Sequence, residues 1–295
     1  MIKLILKFLF GKIFLKINLR NLEKKEKSIL LNAKLIINSR NKDSRNINDY
    51  EFSAFSQWGE DGILNHLINN LNINAKNFIE FGVENYLESN TRFILQNNNW
   101  SGLILDNDEK NIREIQSHYY YWKHDLKAKY AHITAENINQ IIQENISQKD
   151  LGILSIDVDG NDYWIWKNLD IVDAQIVVIE YNSRFGKDKS VTIPYDPNFQ
   201  REKFHPSMLY YGASLKALCK LAELKNLKLV GTNIAGNNAF FVKKDLLNDR
   251  IKETTIEKCF RYGKFRESRD ENGKLSFKNI NEEIKILKKL ELVEV

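Results

Sequence analysis

Cysteine is scarce in this sequence, since Cys219 and Cys259 are the only two in 295 residues. Their separation matches no metal-binding cysteine spacing, and a secreted disulfide framework needs a larger set of cysteines. Histidine is also scarce, with five residues and no HxH or HExxH arrangement. The sequence therefore argues against a zinc-finger or disulfide-scaffold protein and predicts a reducing, cytoplasmic location.

Long uninterrupted hydrophobic runs are absent as well. Lysines break the apolar N-terminus every few residues, so no stretch reaches the roughly 20 apolar residues of a membrane span. No small-residue cleavage site of a signal peptide follows. Residues 1–49 are expected to form a basic and apolar helical extension. Two alternatives stay open for residues 1–20: peripheral contact with the inner membrane face, or packing on the domain or on a partner.

The chain also lacks a large excess of charge of one sign. The chain has 44 Lys and Arg against 39 Asp and Glu, and no basic stripe is interleaved with aromatic residues. We therefore expect no nucleic-acid partner. The length and the 43% hydrophobic content suit one globular domain. We place this domain at residues 50–248 and a charged C-terminal extension at residues 249–295.

The most informative segment lies between residues 77 and 108. An apolar run at residues 78–81 carries Glu80 and meets Gly82, and a second run at residues 102–105 ends on Asp106. Strand, glycine turn, helix and a strand that ends in a carboxylate form the plan of a nucleotide-binding βαβ unit. The glycine lets a ligand approach the backbone, and the acid accepts hydrogen bonds from ribose hydroxyls. We expect Glu80, Gly82 and Asp106 to contact a cofactor.

The turn lacks the further glycines of the dinucleotide fingerprint G-x-G-x-x-G, because Glu84 and Tyr86 stand at the corresponding positions. The P-loop pattern GxxxxGK[ST] is absent too. Both absences argue against cradled phosphates and against hydride transfer with NAD. The unit suits an adenosine-like ligand without a pyrophosphate, and S-adenosylmethionine (SAM) is the common cofactor of that description.

Apolar runs alternate with segments of helical periodicity along the rest of the domain. Dense β-branched runs at residues 152–157 and 175–181 predict central parallel strands. A third strand is expected at residues 129–133, and residues 227–231 and 238–242 are expected to pair antiparallel. The predicted fold is α/β, with a single doubly wound, mostly parallel, Rossmann-like sheet of seven strands and a reversed last strand.

Four segments resemble, in order, the sequence blocks of FkbM-type class I SAM-dependent methyltransferases, and the resemblance spans about residues 53–242. The segments are SQWGEDGIL at 56–64, EFGVENYLESNT at 80–91, NWSGLILD at 99–106 and LSIDVDGNDYWIW at 154–166. The resemblance implies SAM as cofactor and O-methylation of a hydroxyl on a glycan or sugar-derived metabolite. Tyr86 replaces the second turn glycine of the family. This departure keeps an alternative open, a non-catalytic or differently acting protein that binds a nucleotide or nucleotide sugar.

The resemblance also implies roles for individual residues. Asp157 and Asp159 are expected to line the cofactor and substrate edges of one pocket, with Asp159 in a catalytic role. The full set of implied cofactor-binding residues is Glu80, Gly82, Ser89, Asp106 and Asp157.

Polar residues at the ends of two neighbouring predicted strands could form a metal site. Asp159, Glu180 and Asn182 offer two carboxylates and an amide, which are oxygen ligands suited to Mg²⁺. Such an ion would help to deprotonate an acceptor hydroxyl. The alternative is a hydrogen-bonded polar cluster without a metal, and the spacing does not decide between the two.

A loop that contains all three prolines, Pro194, Pro197 and Pro206, is expected to face the substrate. His205 is the only histidine in this loop. An imidazole titrates near neutral pH, so His205 is the natural candidate for a catalytic base. The alternative is an ordinary solvated loop histidine.

Overall fold

The computed structural model describes residues 2–40 and 43–295, with side chains from residue 21 onward. The described chain begins with a long helix, α1 (Ile2–Ser39). No helix in the described ranges is both long and apolar enough to cross a membrane. The predicted membrane contact of residues 1–20 concerns side chains outside the described ones.

The domain is built on one seven-stranded sheet, and two further short strands form a separate pair. The strands are β1 (Asn77–Phe81), β2 (Ser101–Asp106), β3 (Leu126–Tyr130), β4 (Asp150–Ile156), β5 (Asp173–Glu180), β6 (Val191–Thr192), β7 (Leu227–Thr232), β8 (Asn238–Lys243) and β9 (Val293–Glu294). In spatial order the large sheet runs β3-β2-β1-β4-β5-β8-β7, and β6 pairs with β9. The further helices are α2 (Glu60–Asn70), α3 (Arg92–Asn98), α4 (Glu109–Ser117), α5 (Tyr119–Lys123), α6 (Ile138–Asn145), α7 (Asp162–Asn168), α8 (Arg201–Phe204), α9 (Leu215–Leu224), α10 (Ile256–Cys259) and α11 (Ile280–Leu287). Short 3₁₀ turns occur at Ile47–Tyr50, Ser183–Phe185 and Lys244–Leu246.

The order and direction of the strands confirm the predicted fold class. β3, β2, β1, β4 and β5 run parallel, and β8 lies antiparallel between β5 and β7. The apolar side chains of β4 and β5 are buried on both faces because helices cover both sides of the sheet. The chain therefore has the doubly wound sheet with a reversed last strand that the sequence predicts.

The predicted position of the third strand is wrong by three residues. β3 covers Leu126–Tyr130, whereas the sequence pattern indicated residues 129–133. Leu126 and Ala128 are the buried residues of this edge strand, and Leu126 pairs with Gly102. Residues 131–133 leave the sheet and line a cavity at its edge. The apolar character of that segment therefore reflects the cavity wall and not a strand.

The segment after residue 249 packs closely on the rest of the domain. β9 pairs antiparallel with β6. On α11, the Glu283 carboxylate accepts a 2.7 Å hydrogen bond from Arg184 Nε, and both side chains are buried. The predicted boundary at residue 249 stays a prediction, but the structure attaches this segment through buried charges.

A buried ion pair fixes helix α1 to the domain. Arg92 Nη2 lies 2.6 Å from Glu26 Oε1, and both side chains are less than 5% exposed. The Arg92 guanidinium also lies over the rings of Phe55 and Tyr120. The Tyr119 hydroxyl donates a further hydrogen bond to the Glu26 carboxylate. Since α3 begins at Arg92, this pair joins α1 to the first turn of α3.

Removal of the Glu26 carboxylate is expected to destabilise the protein strongly. Glu26→Ala leaves the buried Arg92 charge without its partner, which typically costs about 3–5 kcal/mol. Urea denaturation followed by circular dichroism measures this loss. Glu23→Ala is the matched control, because Glu23 pairs with Lys123 near the surface of the same helix and its loss should change little. Equal stability of the two variants would show that α1 does not depend on the buried pair.

Candidate functional site

Two adjoining cavities open at the carboxyl ends of the parallel strands. The β2-side cavity has a volume of about 320 Å³ and is lined in part by Asp106, His132 and Ile133. The β5-side cavity has a volume of about 340 Å³ and is lined in part by Trp58 and Glu180. Both share a common wall and so form one cleft. The shared residues are Gly82, Glu84, Asp157, Asp159 and Arg201.

Glu80 at the end of β1 organises the loop that forms the centre of the cleft. Its buried carboxylate accepts hydrogen bonds from Ser89 Oγ at 2.6 Å and from Asn90 N at 2.8 Å. Thr91 contributes both its N–H and its hydroxyl. Burial raises the pKa of Glu80, and these donors oppose that shift. Both Glu80 and Ser89 line the β5-side cavity, but the Ser89 hydroxyl is already engaged by the carboxylate.

Gly82 occupies a position where the chain tolerates no side chain. Its φ is +69°, in the left-handed region that favours glycine. A Cβ atom here would lie 1.6 Å from the carbonyl oxygen of Asp157 at the end of β4. The glycine therefore lets the turn after β1 approach β4 and exposes the backbone to the cleft.

Asp106, at the end of β2, lines the β2-side cavity. Its carboxylate accepts hydrogen bonds from Glu84 N at 2.7 Å, Asp108 N at 2.9 Å and Asn111 Nδ2 at 3.1 Å. Burial raises the pKa of Asp106. Two carboxylate oxygens offer about four acceptor positions, so one remains for a ligand hydroxyl.

Tyr86, which replaces the expected second glycine, points away from the cleft. Its φ of +61° is the left-handed conformation that a glycine would adopt there. The ring is fully buried, and its hydroxyl lies 2.9 Å from Thr91 Oγ1. The side chain packs beside Tyr120 in the core. Tyr86 thus leaves the cleft unobstructed, and it no longer favours the alternative of a nucleotide-sugar-binding protein.

Three carboxylates meet where the two cavities join. One oxygen from each of Asp157, Asp159 and Glu180 lies within 4.8 Å of the others. Burial, followed by the charge of its acidic neighbours, raises the pKa of Asp157 and of Glu180. Arg201 Nη1 lies 2.7 Å from Asp159 Oδ1 and offsets part of the negative charge. The site has the excess of acceptor oxygens that favours a cationic ligand.

The structure does not bring Asn182 to this cluster. Its Nδ2 donates to the carbonyl oxygens of Leu209 at 2.8 Å and Tyr211 at 3.1 Å, and its Oδ1 accepts from Arg184 N. The side chain is fully buried and all its polar atoms are engaged. Asn182 therefore stabilises the loop after β5. The sequence had placed Asn182 beside Asp159 and Glu180, but in the structure Asp157 lies there instead.

The structure places His205 away from both cavities. Its Nδ1 lies 2.7 Å from Ser207 Oγ and accepts a hydrogen bond from Ser207 N at 3.2 Å. The same loop still reaches the cleft, but through Pro197, Phe199 and Arg201. The proline-rich loop thus lines the cleft, whereas the His205 imidazole stabilises a turn, and contact between this loop and a substrate stays a prediction.

Sequence reasoning missed four residues that line the β5-side cavity, Trp58, Arg201, Phe265 and Glu267. Glu267 accepts hydrogen bonds from Arg201 and Tyr211, and Phe265 stacks on Trp58. Trp58 lies inside the SQWGEDGIL segment, so its place in a motif was a usable signal. Arg201 and the two C-terminal residues carry no local pattern, because only the tertiary fold brings them to the cleft.

Several solved structures are similar to this chain at low identity. The N-terminal domain of EvdMO1 with SAH bound shares 11% identity over 57% of this chain and 73% of that chain, with a TM-score of 0.38. The M. capricolum TrmK complex with SAH shares 13% over 68% and 74%, with a TM-score of 0.37. The CurJ carbon methyltransferase shares 10% over 66% and 56%, with a TM-score of 0.41. At these scores the similarities add no argument about this chain.

The family model for the methyltransferase FkbM domain matches residues 43–210. No curated protein sequence shows a significant match. The matched region covers more than half of the chain and contains the four segments on which the resemblance was based. It also contains the glycine turn, both strand-end acids of the βαβ unit and the carboxylate cluster. The chain belongs to the FkbM methyltransferase family.

Proposed function

We propose that the protein transfers a methyl group from SAM to a hydroxyl of a glycan or a sugar-derived metabolite. Family membership supports methyl transfer, and the cleft supports the choice of cofactor. The observation that carries the proposal is the pairing of Gly82 at the end of β1 with Asp106 at the end of β2 in one cavity. This pairing suits a nucleoside without phosphates.

The β2-side cavity is the place for the adenosine half of the cofactor. Asp106 has an acceptor position left for a ribose hydroxyl. Leu105, Ala131 and Ile133 line the same cavity and offer apolar surface to a planar base. The sulfonium then lies towards Asp157 and Asp159, where carboxylates favour its positive charge.

Methyl transfer itself is mainly a problem of position. The acceptor oxygen must approach the methyl carbon in line with the carbon–sulfur bond, which breaks as the new carbon–oxygen bond forms. The hydroxyl proton passes to a carboxylate oxygen of Asp159 as the new bond forms, and the sulfur leaves as neutral SAH. Asp159 lies in the cleft with a side chain that is 61% exposed, so we assign it the catalytic role that the sequence suggested and place His205 outside the chemistry.

Loss of the Asp106 carboxylate is expected to weaken cofactor binding. Asp106→Ala removes a charge-assisted hydrogen bond to ribose worth roughly 1.5–3 kcal/mol, so SAH affinity should fall about ten- to a hundredfold. Isothermal titration calorimetry with SAH measures the change. Asp188→Ala, at an exposed position, is the matched control. An unchanged dissociation constant in the Asp106 variant would remove Asp106 from the cofactor site.

A side chain at position 82 is expected to abolish SAH binding. In Gly82→Val the Cβ atom meets the Asp157 carbonyl, so the turn and the end of β4 must separate. Gly186→Val is the control, since that glycine also has a positive φ but has no atom within 4 Å of an added Cβ. Calorimetry with SAH, beside circular dichroism to confirm folding, tests this. A folded Gly82 variant with wild-type affinity would show that close approach is not required.

Arg201 places a positive charge next to the carboxylate cluster, so we propose that methyl transfer proceeds without a bound metal ion. Arg201 pairs with Asp159 and Glu267, and its guanidinium lies 3.8 Å above the ring of Tyr211. With Asn182 engaged elsewhere, the three remaining carboxylates could hold Mg²⁺ only if Arg201 withdrew. Hard cations of this kind need about six oxygen ligands, so water would supply the rest.

Titration with Mn²⁺ distinguishes a metal-binding carboxylate cluster from a metal-free cluster that is paired with Arg201. Wild-type protein treated with EDTA should show no tight Mn²⁺ site by electron paramagnetic resonance, and SAH affinity should not change. Arg201→Met should increase Mn²⁺ affinity about tenfold or more, because it leaves three neighbouring carboxylates without their cation. Tight Mn²⁺ binding by the wild type that disappears in Asp159→Asn would establish the metal reading instead.

A further inference from the structure

Two buried oxygens at the base of the β5-side cavity lack hydrogen-bond partners in the described part of the chain. They are Glu180 Oε2 and Asn238 Oδ1. The two residues lie directly opposite each other on β5 and β8. Glu180 is 7% exposed and Asn238 is 4% exposed, and both line the cavity. Facing residues of an antiparallel pair point to the same side of a sheet, so the two oxygens form one acceptor-rich patch.

Glu60 fixes the orientation of the Asn238 amide. Its Oε1 accepts hydrogen bonds from Asn238 Nδ2 at 2.8 Å and from Asn233 Nδ2 at 2.7 Å. A carboxylate only accepts, so the Asn238 amide must turn its nitrogen to Glu60 and its oxygen away from it. The unpartnered atom is therefore an acceptor. An unsatisfied buried acceptor is unfavourable, so the site calls for a donor from a ligand or from water.

The same carboxylate also positions an aromatic wall of the cavity. Glu60 Oε2 accepts a 2.9 Å hydrogen bond from the backbone N–H of Trp58. The Trp58 ring is 39% exposed and lies nearly parallel to Phe265, with 5.7 Å between ring centroids. A flat aromatic surface suits the apolar C–H face of a sugar ring, whose hydroxyls project from its edge. The wall and the base of the cavity are thus held by one residue.

We propose that this cavity is the acceptor subsite and that it recognises a ring with two neighbouring hydroxyls. The ring stacks on Trp58, and the hydroxyls donate to Glu180 Oε2 and Asn238 Oδ1. Glu60 acts as a positioning residue for both contacts. This inference rests on the proposed function, because it places the acceptor beside the cofactor end of the cleft. It assigns a binding role to the SQWGED segment, which the cofactor site leaves unused.

Binding of methyl glycosides tests the subsite directly. The probes are the methyl pyranosides of glucose, galactose, mannose and fucose, added to the full-length protein with and without SAH. Saturation-transfer difference NMR detects binding and gives dissociation constants by titration. At least one glycoside should bind, and its affinity should fall about tenfold or more in Trp58→Ala and in Asn238→Ala. SAH affinity should stay within about twofold of wild type in both variants.

Trp122→Ala is the matched control, because Trp122 is 75% exposed on α5 and lies outside both cavities. It should change neither glycoside nor SAH affinity. If none of the four glycosides binds, or if binding is equal in wild type and Trp58→Ala, the subsite is overturned and a buried water satisfies the two oxygens. If the wild type fails to bind SAH while a glycoside still binds, the proposed function falls, and the cavity is a sugar-binding site but not a methyl-acceptor subsite.

Discussion

The carboxylate of Glu80 gathers donors from Ser89, Asn90 and Thr91 at the end of β1. These hydrogen bonds close the loop after Gly82 back onto the strand. The loop in turn presents the Glu84 N–H to Asp106 at the end of β2. The positions of the cleft-lining groups at the ends of β1 and β2 thus depend on one buried acid. The buried Glu80 carboxylate is stabilised by the N–H and O–H groups that donate hydrogen bonds to it.

Acidic side chains dominate the cleft, and two arginines offset part of their charge. Arg201 neutralises part of the carboxylate cluster, and Arg184 lies behind it between Glu267 and Glu283. The two arginines share Glu267, so the charges form one connected network. A ligand that adds positive charge to this cleft reduces the repulsion among the acids. The electrostatics therefore favour a sulfonium cofactor over an anionic one.

The sequence predicted that several strand-end acids meet in one cleft, because strand ends determine where a residue lies. Their contact with a cofactor stays a prediction. Glu80, Asp106 and Asp157 each follow an apolar run, and parallel strands bring their carboxyl ends to one edge. Side-chain direction is a different matter. Asn182 and His205 have suitable chemistry, but a tertiary hydrogen bond to Leu209 engages Asn182, and a local one to Ser207 engages His205. No sequence pattern reports those contacts.

The β5-side cavity, which we propose as the acceptor subsite, was harder to predict for a related reason. Its lining residues come from positions far apart in the chain, and four of them, Asn237, Asn238, Phe265 and Glu267, lie outside the region of family similarity. Only the packing of the C-terminal segment brings them together. The predicted position of β3 was wrong because a short apolar segment can line a cavity as well as form a strand, and the sequence does not distinguish the two.

The late position of Phe265 and Glu267 in the chain has a consequence for biosynthesis. Ribosomes make a protein from its N-terminus, and the residues that line the β2-side cavity end at Glu202. The β5-side cavity also requires Phe265 and Glu267, and Arg184 needs Glu283 of α11. The β2-side cavity, where we propose that the nucleoside binds, is therefore translated before the β5-side cavity, where we propose that the acceptor binds. Under this assignment, a growing chain gains its parts for holding the methyl donor first, and its choice of substrate last.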